Sequence, residues 1–411
     1  MDVILRIGIA ESGKFDVFLH GTYTSPDGKK HTGHESLLHP VLLKADNESC
    51  FFEIDRVTIG KEFHWQSQER QRFTGDLECV ETGNGLAAVN HIGIEDYLVS
   101  VISSEMNANA AFEMLKAQAV IARSWALRQK TCKHKAGKCL IETENMHLRW
   151  YENDSHLYYD LCADDHCQRY YGLSRAGNPA VSRAVKETAG EVLMYKGELC
   201  DARYHKSCGG ITEKYSTCWA DIDFPYLQPV RDYDKAGLHL PEGENEIKNF
   251  ILSDHPAFCN PRNMDSCSLN DFDAGIQSYR WQQEYSVGEL SELVFKRSGM
   301  DFGEITELVS VHRGPSGRID KLLIKGRRME KTVGKELEIR KFLSETHLYS
   351  SAFVVEKTDA KFILKGAGWG HGVGLCQTGA AAMAAQGYNY KQILRHYYKG
   401  AEVRKNYYLS V

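Results

Sequence analysis

No stretch of this 411-residue chain stays apolar for the roughly 18 residues that a membrane-spanning helix needs. A polybasic block is missing too. The 50 Lys and Arg are matched by 55 Asp and Glu, leaving a net charge of −5. That balance removes the electrostatic footprint of a nucleic-acid binder. There is no internal repeat and no low-complexity segment. The opening Met1-Asp-Val-Ile-Leu-Arg-Ile-Gly8 reads as the start of a strand, not as a secretory leader. The expectation is an exported protein whose leader is absent from this chain, with a cytoplasmic one as the alternative.

The chain is long enough for two or three domains, or for one large core with insertions. Short apolar runs separated by turn residues make 1–90 a β-rich region. Residues 91–221 read as a core holding the clearest helix, 111–130, in which Leu115, Ala119, Ala122 and Ala126 form one apolar stripe. Asn107 or Asn109 is its expected cap. Just before it, the apolar run Tyr97–Ile102 looks like a strand that ends at Ser103-Ser-Glu105. Residues 222–300 are polar and irregular and read as an insertion, with a helix near 286–298. Residues 301–411 contain a hairpin over 305–326 turned at Gly314-Pro-Ser-Gly317, then helices over 375–396. This last region is expected to share one core with 91–221. The fold class is α+β: a β-rich core, a long helix after a strand end that carries a carboxylate, and inserted segments shaping a cleft.

Four constellations could carry chemistry. Glu105, at a strand end facing a helix start, could be partly desolvated, and desolvation raises a carboxyl pKa into the range of a general acid. The bland alternative is a solvated turn or cap acid. Lys116 and Arg123 are two helical turns apart, on one face and roughly 10 Å from each other along the axis. They could bind a carboxylate or form an ordinary basic face. His156, Cys162, His166 and Cys167 put four soft or borderline donors within twelve residues. That set suits a closed, structural zinc site, and a Cys162–Cys167 disulfide is the rival. Cys132, His134 and Cys139 make a weaker set. Finally, Tyr204-His-Lys-Ser-Cys208 precedes a Gly-Gly turn, and Tyr204, Lys206 and Cys208 would share one strand face. The local pairs Cys132/Cys139, Cys208/Cys218 and Cys259/Cys267 are possible disulfides among the 12 cysteines.

Near the C-terminus the chain reads Gly366-Ala-Gly-Trp-Gly-His-Gly-Val-Gly374. Alternating glycines let a backbone take positive φ and let a ligand come close. With Trp369 and His371 between them, the run suits a surface that stacks on a sugar ring. A dinucleotide loop is excluded, because residues 385–395 lack the acidic residue such a loop wants about 20 positions on.

Together these motifs carry a resemblance. Glu105-Met with Ala111–Leu127, Tyr204-His-Lys-Ser-Cys-Gly-Gly-Ile-Thr-Glu213, and Gly368–Ala380 with Ile393–Gly400 resemble the signature blocks of the stage II sporulation protein D family. The resemblance implies a peptidoglycan lytic transglycosylase. Glu105 would be its acid/base. Lys116, Arg123, Tyr204, Lys206, Ser207, His371 and Gln377 would be substrate-binding groups, with Lys116 or Arg123 orienting the glutamate. His156, Cys162, His166 and Cys167 would bind zinc. The implied partners are glycan strands and, for the non-catalytic members, a cell-wall amidase. The implied place is the cell envelope. A loop at Gly366–Gly374 lining the cleft opposite Glu105 is the matching expectation.

Overall fold

The structure is a computed structural model and describes residues 3–61, 66–106, 110–131, 139–151, 156–233, 239–263 and 278–405. It is mixed α+β, as expected. The chain divides into two compact units. One comprises 1–136, 153–201 and 403–411; the other comprises 137–152 and 202–402.

In the first unit, eight strands come from the N-terminal region: β1 (Ile4–Ser12), β2 (Phe15–Thr24), β3 (Lys30–Leu37), β4 (Val41–Ala45), β5 (Phe51–Ile59), β6 (Ser67–Thr74), β7 (Asp76–Thr82) and β8 (Gly85–Gly93). Among the described residues they form one sheet in the order β1-β8-β7-β4-β2-β5-β6, with β3 beside β2. The short strand Leu161–Cys162 joins its edge, parallel to β1, with Ile7 opposite Leu161 and Gly8 opposite Cys162. This pairing carries the histidine- and cysteine-rich loop onto the sheet. An aromatic chain fills the core. Phe52 stacks on Phe73, Phe73 meets Tyr170, and Tyr170 meets Tyr97, with ring centroids 5.2–5.8 Å apart.

The run read as a strand before Glu105 is a helix, α1 (Ile94–Glu105). Its buried apolar residues, Ile94, Tyr97, Leu98, Val101 and Ile102, recur at helical spacing. The run is β-branched and apolar because this helical stripe packs on the core. Helix α2 (Phe112–Thr131) follows. Its four-residue stripe proves too narrow, since the helix is buried on nearly every side from Met114 to Leu127. Asn107 and Asn109 lie outside the described residues. Helix α3 (Pro179–Glu187) is capped by the Asn178 side chain, which accepts from Ala180 N–H at 2.9 Å.

The second unit has a sheet in which the hairpin Ile305–Arg313 and Ile319–Gly326 pairs on through Glu330–Gly334 to Met146–Arg149 and Leu140–Glu142. Another sheet places Lys361–Ala367 between Arg280–Ser286 and Phe353–Lys357. Arg280–Ser286 pairs with Lys361–Ala367 along its whole length. The helix Val287–Ser298 packs Leu290 and Val294 into the same apolar cluster as Phe302, Ile319, Leu322 and Phe362. The segment read as an insertion therefore ends in core elements of this unit. Tyr204–His205 runs parallel to Leu375–Cys376, which brings the two glycine-rich motifs side by side.

Candidate functional site

Glu105 is the last residue of α1 and is half-buried. Its Oε1 accepts the main-chain N–H of Arg169 at 3.2 Å. That N–H is held by its neighbours on both sides. Gln168 Oε1 accepts the Tyr97 hydroxyl at 3.0 Å, and the Tyr170 hydroxyl donates to Asn90 Oδ1 at 2.6 Å. Asn90 is fixed in turn by donating to the carbonyls of Thr74 and Asp76. The Arg169 guanidinium donates to Asp165 at 2.5 Å, and the charges of Asp165 and Glu105 raise its pKa against the cost of burial.

The same loop carries the cysteine and histidine set. Tyr170 N–H closes on the Ala163 carbonyl at 3.0 Å, and Cys167 N–H on that of Asp164 at 3.0 Å. This folds the loop so that one donor atom from each of His156, Cys162, His166 and Cys167 lies within 4.8 Å of the others. His156 Nε2 is 3.2 Å from Cys167 Sγ, and His166 Nδ1 is 3.8 and 3.9 Å from Cys167 Sγ and Cys162 Sγ. A tetrahedral zinc with Zn–S about 2.3 Å and Zn–N about 2.0 Å needs donor separations of roughly 3.3–3.8 Å. Cys167, followed by His156 and His166, holds the Cys162 thiol well below its usual pKa against the opposing effect of burial, as a metal-binding thiolate requires. Cys162 and Cys167 are not joined in a disulfide.

The basic pair on α2 separates. Arg123 is fully buried. Its guanidinium grips Glu95 with two bonds of 2.6 and 3.0 Å and donates to the carbonyls of Ala119 and Glu191. It is a structural anchor, and the expectation that it touches substrate is corrected. Lys116 lies over the Phe112 ring and pairs with Glu187 at 2.9 Å and Glu113 at 3.5 Å. Its ammonium pKa is raised, chiefly by Glu187.

Tyr204, Lys206, Ser207, His371 and Gln377 belong to the second unit. Tyr204 is half-buried and pairs with Leu375, while the Lys206 carbonyl accepts from Thr378. Ser207 is sealed from solvent and its backbone bridges to Trp369, so its hydroxyl cannot meet a ligand. Gln377 begins the helix Gln377–Ala385 and is buried.

The glycine run has an occupant of its own. Gly368, Gly370, Gly372 and Gly374 all have positive φ, between 74° and 91°. The loop winds round Arg318, a fully buried residue that sequence reasoning did not single out. Arg318 donates to the Gly370, Cys208 and Ser207 carbonyls and to Ser316 Oγ. A Cβ at Gly372 would lie 2.5 Å from the guanidinium carbon. Ser316 passes the network on to the buried Glu213 carboxylate, which also accepts from Thr217. The glycines therefore admit the protein's own arginine, which corrects the reading that they leave the backbone open to a ligand. His371 is half-buried, its Nδ1 accepts from Val373 N–H at 3.0 Å, and its ring meets the edges of Trp219 and His205. Burial, then the nearby His205, push its pKa well down, so the ring is neutral.

The possible Cys208–Cys218 disulfide is not formed. Cys218 Sγ faces the His371 carbonyl, while Cys208 faces Cys259 and Cys376. Cys132, His134 and Cys267 lie outside the described residues.

Known proteins resemble both units. Residues 82–195 match the family described as "Stage II sporulation protein", and 213–374 match a domain of unknown function, DUF8618. An uncharacterised protein of Brachyspira hyodysenteriae is 26% identical over 333 residues, covering 80% of this chain and 72% of that one. Stage II sporulation protein D of Bacillus amyloliquefaciens is 24% identical over 323 residues, 77% of this chain and 75% of its own length. The amidase enhancer of Bacillus subtilis is 28% identical over 317 residues, which span 74% of this chain but 39% of that protein. The segment 82–195, which holds Glu105 and the His/Cys quartet, is thus similar to the stage II sporulation protein D family.

Proposed function

We propose that this protein acts on the bacterial cell wall as a lytic transglycosylase, cutting peptidoglycan glycan strands with Glu105 as its single acid/base. The observation that carries the reading is the placement of Glu105. Its carboxylate stands at a helix end, half-buried, and is oriented by a main-chain N–H that two buried side-chain anchors hold in place. Hydrolytic glycosidases use two carboxyl groups, one of them to activate water or attack the sugar. A transglycosylase needs one. Glutamic acid first protonates the leaving glycosidic oxygen. The resulting carboxylate then accepts the proton of the sugar's own C6 hydroxyl as that oxygen closes on C1, leaving a 1,6-anhydro end. Zinc held by His156, Cys162, His166 and Cys167 has a structural role in this reading, bracing the loop whose Arg169 N–H meets Glu105. Glycan contact is proposed for Tyr204, Lys206 and His371, which keep partial exposure. The protein would work outside the cytoplasm, where glycan strands are found.

A second reading is a non-catalytic wall protein that stimulates an amidase. The likeness to the Bacillus subtilis amidase enhancer and the internally filled glycine loop favour it. Incubation with peptide-free glycan strands, followed by mass spectrometry, separates the two. Anhydro ends from the wild type and none from Glu105→Gln, at unchanged melting temperature, are the outcome expected of the enzyme. Intact strands from both proteins would leave the amidase-stimulating reading.

A further inference from the structure

The second unit holds another set of metal donors, drawn from four distant places in the chain. One donor atom from each of Cys208, Asp232, Cys259 and Cys376 lies within 4.8 Å of the others. All four residues are sealed, at 2% exposure or less. From these contacts we propose that Cys208, Asp232, Cys259 and Cys376 form a second, closed structural zinc site, separate from the His156–Cys167 quartet and independent of what the enzyme cuts.

The donor spacing is compatible with a tetrahedral site. Cys208 Sγ and Cys259 Sγ are 3.5 Å apart. Two sulfurs on one zinc, each about 2.3 Å from it, stand roughly 3.8 Å apart. A disulfide would need them near 2.05 Å. The sulfurs accept main-chain hydrogen bonds, as thiolate ligands do. Cys376 Sγ accepts from Cys208 N–H at 3.2 Å and from Gly379 N–H at 3.4 Å, and Cys208 Sγ accepts from Gly210 N–H at 3.3 Å. Cys376 is also the N-cap of the helix Gln377–Ala385, where the helix dipole favours a thiolate.

Asp232 supplies the hard ligand. Its Oδ2 accepts Cys259 N–H at 2.9 Å and its Oδ1 accepts the Tyr397 hydroxyl at 2.6 Å, which fixes the carboxylate's orientation. Space is kept for it: a Cβ at Gly379 would sit 2.5 Å from Asp232 Oδ1 and 2.4 Å from the Tyr397 hydroxyl oxygen. The main chain is tied in as well, since Asp232 N–H donates to the Gly210 carbonyl and Phe258 N–H to that of Asp232. Three thiols and a carboxylic acid sealed together have no role in the proposed acid/base step. A divalent cation would neutralise two of their negative charges and join four loops at one point.

The test is zinc content of the full chain after extensive dialysis, by elemental analysis and native mass spectrometry. Two zinc ions per wild-type chain are expected. Cys162→Ser/Cys167→Ser should retain one, and adding Asp232→Asn or Cys376→Ser should remove it. If the added change unfolds the chain, cobalt loading of the Cys162→Ser/Cys167→Ser protein still decides: the thiolate-to-cobalt absorption expected of a three-sulfur site must appear. A protein without zinc in the Cys162→Ser/Cys167→Ser background that also takes up no cobalt overturns the proposal. So does a Cys208–Cys259 disulfide found by mass mapping under non-reducing conditions. Zinc lost with Cys376→Ser but kept in Cys162→Ser/Cys167→Ser would support this site and remove the other.

Discussion

Two segments of the chain concentrate residues suited to binding ligands, histidine and cysteine in 156–170 and glycine, histidine and tryptophan in 366–374, and burial gives them opposite fates. The loop 156–170 keeps its donor atoms pointed at one another and one main-chain N–H pointed at a half-buried Glu105. The run 366–374 spends its open backbone on Arg318 and packs its histidine between two aromatic rings. Residue types suited to ligand binding are equally suited to enclosing a buried cation. Which use prevails depends on what a distant strand delivers, here an arginine at the foot of the hairpin.

The sharpest way to break this comparison is to take the arginine out. Arg318→Met should destabilise the protein by about 3–5 kcal/mol, because the carbonyls of Ser207, Cys208 and Gly370 lose their donor and Glu213 loses its cation. Chemical denaturation measures it. A cost below about 1 kcal/mol would mean that the loop does not depend on its internal occupant.

Acid sharpens the contrast next. Burial, then Arg318, lowers the His205 pKa from 6.5 to about 3. The folded protein therefore resists protonation that the unfolded chain accepts. Stability from this group is present above pH 6.5 and is lost as pH falls toward about 3. Between pH 6.5 and roughly pH 5 the loss should be about 2 kcal/mol, at about 1.4 kcal/mol per pH unit. Denaturation midpoints of wild type and His205→Gln over that range should converge as pH falls; parallel curves would show that His205 titrates normally.

In the other segment, Cys162→Ser/His156→Ala should remove one zinc and lower glycan cleavage by about 10–100-fold, the usual cost of losing support one step behind a reacting group. Full activity without metal would detach the quartet from Glu105. The smallest effect is expected at Lys116. Its ion pair with Glu187 lies near the surface, so Lys116→Met should shift stability by less than about 1 kcal/mol. Cleavage should stay near wild type if Lys116 only pairs with Glu187; a large fall would make it a substrate group.

Local patterns were legible in the sequence and dispersed ones were not. Helix α2, the 305–326 hairpin and the helices after residue 376 each carry their signals within a few turns. The quartet His156, Cys162, His166 and Cys167 is equally local, so its convergence could be expected. Cys208, Asp232, Cys259 and Cys376 span 168 residues, and no spacing rule joins them. Helix α1 is masked in the sequence because Val99, Val101 and Ile102 favour strands, although the 94-97-98-101-102 spacing is helical. Arg123 looked like a surface cation, because a helix sequence does not reveal that Glu95 lies across from it.

The contact that orients Glu105 comes from the peptide group of Arg169, not from its side chain. Every residue except proline supplies the same N–H at that position. A side-chain scan at residue 169 would register the loss of the ion pair with Asp165 and of the charge interaction with Glu105, but not of this N–H. That donor is thus shielded from ordinary substitution at residue 169 itself, and depends instead on Gln168, Tyr170 and the His/Cys quartet, which hold the loop in place.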